Sequence, residues 1–127
     1  MQSKDIIKTF VRETLGCNCP EEVFNRIEQK SNIPLGNLIL NHRINIGNRL
    51  LIYIFEVENE ESLHQILPFL IESGRVERDE FGFNRFRLVL AQNTERPVNE
   101  IAQEIFDNIN RDEKIHLHVI SKRKISF

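Results

Sequence analysis

The sequence predicts an α+β fold: two N-terminal helices followed by a ferredoxin-like βαββαβ sheet with one extra strand. Three observations carry this. Apolar residues recur at three- and four-residue spacing before residue 28, and from Leu38 the spacing changes to two. From residue 49 onward the order reads strand, helix, strand, strand, helix, strand.

Ile6, Ile7, Phe10, Val11 and Leu15 give one face of an amphipathic helix over residues 3–15, with Ser3 as N-cap and Gly16 as the left-handed residue that ends it. The chain breaks at Cys17-Asn18-Cys19 and restarts at Pro20. Proline followed by Glu21 and Glu22 is a helix-start signal, so Val23, Phe24 and Ile27 read as the stripe of a second, shorter helix. Residues 31–36 read as a connector. Leu38, Leu40, Ile44 and Ile46 alternate with polar residues in a half-buried strand, and Gly47-Asn48 supplies a turn. In the next strand, residues 49–57, both faces are apolar, which predicts a central position covered on both sides.

Residues 60–73 read as a helix ended by Gly74, with Pro68 demanding a kink or a late start. RVERDE (75–80) and NRFRLVLA (84–91) flank Phe81-Gly82-Phe83 and read as a hairpin whose first strand is a polar edge. Pro97 opens a helix with Val98, Ile101, Ala102, Ile105, Phe106 and Ile109 on one face. The last strand, residues 114–120, turns Ile115, Leu117 and Val119 one way and His116 and His118 the other. This reading contains a conflict. The first strand of a ferredoxin-like sheet is already flanked on both sides, so the 38–46 strand has no place beside it. Either that strand sits elsewhere, or RVERDE is not a strand and the sheet order differs.

The chain has 127 residues, 40% hydrophobic and 28% charged, which suits a single domain over 1–127: a helical part, 1–36, packed on an α+β sheet of 37–127. No apolar run approaches the roughly 18 residues of a membrane span, and the N-terminus lacks the apolar block of a secretory signal. With 17 Lys and Arg against 19 Asp and Glu, the net charge is −2, which provides no general attraction to nucleic acid or an anionic membrane. Two closely spaced cysteines are not a disulfide scaffold, so the expected compartment is the cytoplasm, with both thiols reduced at rest.

The chemistry-bearing element is the Cys17-Asn18-Cys19 turn. If Cys19 opens a helix, free amides and the helix dipole favour its thiolate, with Cys17 as partner. An extended C-x-C places both sulfurs on one side, suited to one metal ion. An internal disulfide must close a Cα separation of roughly 6 to 7 Å, at the upper limit of normal bridges, and Asn18 in a left-handed conformation would relax it. Such a bond would be readily reduced and would serve redox chemistry rather than stability. Against this stands simple packing, since cysteine is among the most buried residues. His116 and His118 share a strand face and complete a Cys17/Cys19/His116/His118 ligand set for zinc. A two-fold dimer joining two CxC turns would supply four thiolates for zinc or an iron–sulfur cluster. His42 and His64 stand apart from this set.

The other function class is interaction. The sheet face away from the two later helices carries an apolar strip with basic shoulders at Arg85, Arg87, His116 and His118, to be covered by the N-terminal helices, a second subunit or an anionic ligand; a domain that associates with itself as a homo-oligomer, or with another protein, would use this face. Stacking on RNA is rejected, because Tyr53 is the only candidate aromatic on the central strand. Searches for phosphate-binding glycine loops, a nucleophile elbow and H-E-x-x-H find nothing, and Glu56, Glu58, Glu60 and Glu61 read as an acidic connector.

The stretch VRETLGCNCPEEVFNRI, residues 11–27 and about an eighth of the chain, resembles the signature of a small, largely uncharacterised prokaryotic family with a G-C-x-C-P-E-E-V-F-like turn between two N-terminal helices. The resemblance places Cys17, Cys19 and Pro20 in a motif and implies no activity. The expected function is therefore a thiolate-using redox or metal-binding protein, with a self-associating or protein-binding domain as the alternative.

Overall fold

The computed structural model describes residues 3–93, 98–110 and 112–127 and contains a five-stranded sheet of order β1-β2-β3-β4-β5. The strands are β1 (Ile27–Leu35), β2 (Leu38–Ile46), β3 (Leu50–Val57), β4 (Arg85–Gln92) and β5 (Ile115–Ser121). The first three form an antiparallel meander, and β3, β4 and β5 are parallel. Tight turns suffice for the meander, and the Gly47-Asn48 turn has φ of 59° and 58°. Parallel neighbours need crossovers, which α2 (Leu63–Phe81) and α3 (Val98–Ile109) supply. The Ser3 side chain, and so its cap, and the Pro97 start lie outside what the structure describes.

This order overturns the ferredoxin-like βαββαβ layout. RVERDE is not an edge strand; it is the last part of α2. Gly74 does not stop the helix, because its role is close approach: a Cβ there would sit inside the Phe86 ring of β4. The helix ends at Gly82, left-handed at φ 75°, with the Phe83 N–H bonded to the Arg78 carbonyl at 2.9 Å. Charges in RVERDE find partners along the helix and beyond it. Arg75 pairs with Glu72, Glu77 with Arg43, and Arg78 with Asp112. With that strand gone, β2 takes the free side of β3, which resolves the conflict in the sequence reading. Pro68 neither delays nor ends α2, which already runs from Leu63.

The second N-terminal helix shrinks to a single 3₁₀ turn, Glu21–Asn25, and Ile27 begins β1 opposite Ile46. Residues 31–36, read as a connector, hold the far half of that strand, so the boundary at 36 cuts through a hairpin. IEQKSNIPL hides its nature because an edge strand needs no apolar alternation, and Pro34 is tolerated there. α1 (Ser3–Thr9) continues into a π-helical turn, Phe10–Thr14.

Two cores sandwich the sheet. On one face α2 and α3 bury Leu67, Leu70, Ala102 and Phe106 against Leu51, Tyr53, Phe86 and Leu88. On the other, Ile7, Phe10, Val11, Leu15 and Phe24 cover Ile44, Ile46, Ile52, Ile54 and Val89. Residues 50–54 of β3 are all buried, as their two-sided sequence predicts. Each such aliphatic side chain contributes about 1.5–3 kcal/mol. In β2 the alternation breaks at Asn41, so Leu40 joins the helix-side core while Ile44 and Ile46 join the other. The Asn41 side chain fills the gap, accepting from the Glu56 N–H at 2.7 Å and donating to the Glu56 carboxylate at 2.9 Å.

Candidate functional site

Gly16, at φ 68°, turns the chain out of the π-helical segment, and the Cys17 N–H reaches back to the Val11 carbonyl at 3.1 Å. Cys17 and Cys19, expected as reduced thiols, are instead joined in a disulfide across a Cα separation of 5.3 Å. Asn18 does not turn left-handed to achieve this; among the described residues only Asn32 and Asn48 do so without being glycine. The turn is pinned from outside. Arg12 donates to the Cys19 carbonyl at 3.4 Å, stacks 4.9 Å from the Phe24 ring and pairs with Glu21 at 2.7 Å. Lys8 also binds Glu21.

The helix-dipole argument for Cys19 fails, because Pro20 leads into only five residues of 3₁₀ helix. A different source of positive charge stands in its place. Both cysteines line a cavity of about 500 Å³, together with Arg49, Arg85, Arg87 and His116, over an apolar floor of Val23, Ile46 and Leu50. No carboxylate lines it among the described residues.

Strand alternation and register build this wall. Phe86, Leu88 and Leu90 of β4 enter the helix-side core, which leaves Arg85 and Arg87 on the opposite face. Parallel pairing sets Arg87 beside His116 and Val89 beside His118. Arg85 Nη1 lies 3.2 Å from His116 Nε2, and Arg87 Nη1 lies 2.8 Å from His118 Nε2. Arginine can only donate, so both imidazoles accept at Nε2 and carry their proton on Nδ1. Burial, reinforced by Arg87, pushes the His118 pKa down to about 4, and burial lowers His116 as well. The histidines therefore orient the guanidinium groups without neutralising them.

Arg87 bears the largest cost. Its Nη1 also donates to the Leu15 carbonyl at 3.2 Å, while its buried Nε has no partner. Burial and the neighbouring Arg85 lower its pKa. A half-buried cation without a counter-charge gives up part of its hydration with no ion pair in return. The fold holds positive charge here against its own stability.

The structure thus brings Cys17, Cys19 and His116 to one cavity, with His118 behind Arg87. Among the described residues no three Cys, His, Asp or Glu side chains are grouped to hold a metal ion. His42 lies elsewhere, edge-on to Phe127 with ring centres 5.3 Å apart, and His64 is exposed on α2. The basic sheet face is covered by the N-terminal segment, the first of the covers considered for it. Arg49 was missed by the sequence reading. Its signal was the Gly47-Asn48 turn, which reverses the chain so that the first side chain after it faces the CxC turn.

No protein-family model, curated protein or solved structure matches the chain. Among the described residues no helix is long and apolar enough to cross a membrane.

Proposed function

We propose that the protein performs thiol–disulfide exchange through Cys17 and Cys19. The observation that supports this reading is the Cys17–Cys19 disulfide on the wall of a cavity containing Arg49, Arg85 and Arg87 and, among the described residues, no carboxylate. Guanidinium groups beside a thiol favour its thiolate, which is both the better leaving group and the form present at neutral pH. In the exchange, a substrate thiolate attacks one Sγ, the Cys17–Cys19 bond breaks, and its electron pair leaves on the other sulfur. A second substrate thiolate then attacks the mixed disulfide. Substrate disulfide is released, and both protein sulfurs remain as thiolates. Two substrate thiols are oxidised as one protein disulfide is reduced.

The same surroundings weigh against zinc or an iron–sulfur cluster on Cys17, Cys19, His116 and His118. Three guanidinium groups repel a cation, and each histidine Nε2 already faces an arginine.

Alkylation of the reduced protein, followed by mass spectrometry across pH, tests the proposal. Cys17 or Cys19 should react at pH 7 at least roughly fivefold faster than a free thiol of pKa about 8.5. In Arg87→Gln the advantage should shrink. Reaction no faster than the free thiol removes the basis of the reading. Native mass spectra of the reduced protein that show bound zinc or iron, lost in Cys19→Ser, would replace it with metal binding.

A further inference from the structure

We infer that the arginine cavity is a binding site for a small organic anion, held through its carboxylate or phosphate group by Arg87, Arg85 and Arg49. This goes beyond the exchange reaction and does not need the cysteines to react. The first support is the uncompensated charge. The chain carries a net charge of −2, yet three arginines from separate positions converge on one cavity without a carboxylate among its described lining residues.

The second support is the way these arginines are held. A carboxylate would orient a guanidinium as well as an imidazole does, but it would cancel the charge. His116 and His118 accept from Arg85 and Arg87 as neutral rings, so the groups are aimed and their charge is left for a ligand. The Leu15 carbonyl fixes Arg87 in the same neutral manner. Preorganised guanidinium forks match the paired oxygens of carboxylate and phosphate.

The third support is shape. A cavity of about 500 Å³ lies within the range of small-molecule sites and exceeds what a lone inorganic anion needs. Val23, Ile46 and Leu50 line it opposite the arginines and offer apolar surface to a carbon skeleton. One end of the ligand is thus an oxyanion and the rest is at least partly apolar.

Calorimetric titration at constant ionic strength tests the site, with inorganic phosphate and succinate as the two probes. Saturable one-to-one binding of either is expected, and the tighter probe identifies the anionic group. Arg87→Gln and Arg49→Gln should each weaken it at least tenfold. Arg49 is exposed, so its variant retains the fold and keeps the test valid if Arg87→Gln unfolds. Arg123→Gln, in the basic C-terminal turn, should bind as the parent does. The titrations use the oxidised protein, in which the Cys17–Cys19 disulfide leaves no thiol free to exchange, which separates this site from the exchange reaction. No binding at tens of millimolar, equal binding by Arg49→Gln, or loss of binding in Arg123→Gln would overturn the inference.

Discussion

Arg78 and Arg87 lie on opposite sides of one sheet, and each leaves a buried nitrogen unpaired, Nη1 in the first and Nε in the second. Their neighbours differ. Arg78, only 7% exposed, bonds Asp112 at 2.6 Å and Asp79 at 2.9 Å, and the Asp112 contact raises its pKa. Nearby, Arg43 and Tyr53 both bind Glu77, each at 2.5 Å. On that side Arg78 and Arg43 each meet a carboxylate. Arg87 has two neutral acceptors and a second arginine, and burial lowers its pKa. Charge held with its partner serves the fold, while charge held without one reduces stability and is available to a ligand or a thiolate.

The largest test of this contrast is Arg78→Met. It strands Asp112, whose pKa the Arg78 hydrogen bond holds low, and should cost about 3 kcal/mol in urea unfolding. A loss below about 1 kcal/mol would show that the pair is not structural. His118 gives a smaller, pH-dependent effect. Its pKa falls from 6.5 in the unfolded chain to about 4 in the fold, so below pH 6.5 the unfolded state binds the extra proton. Stability must therefore fall as pH drops from 6.5 toward 4, by up to about 1.4 kcal/mol per pH unit, less what solvent screening removes. His118→Gln should flatten that slope between pH 6.5 and 5.5; an unchanged slope would mean the ring is protonated in the fold. The smallest effect is expected from Arg87→Met, within about 1 kcal/mol of the parent, because an unpaired cation is exchanged for an apolar chain of similar reach. A loss comparable to that of Arg78→Met would erase the difference between the two arginines.

The parts legible in the sequence are those where periodicity and burial agree. Residues 50–54 declare a central strand because both faces are apolar, and 85–91 and 115–120 alternate cleanly. RVERDE has neither period, since its charges satisfy partners on three different elements, and Gly74 looks like a stop until Phe86 is seen beneath it. The first strand is polar because it is an edge. Of the site, the shoulders at Arg85, Arg87, His116 and His118 were readable from alternation, and the CxC turn was readable as a motif. That they meet was not, because the contact of Leu15 with Arg87 spans 72 residues.

That span has a consequence for synthesis. Cys17 and Cys19 leave the ribosome long before β4 and β5 exist, and at about 5–20 residues per second the histidine strand follows roughly 5–20 s later. During that interval the two cysteines lie on a segment whose partners in β4 have not yet been made. Two of the three cavity arginines, Arg85 and Arg87, arrive only with β4, so under the proposed exchange the nascent chain would carry its cysteines past other thiols before that charge is in place.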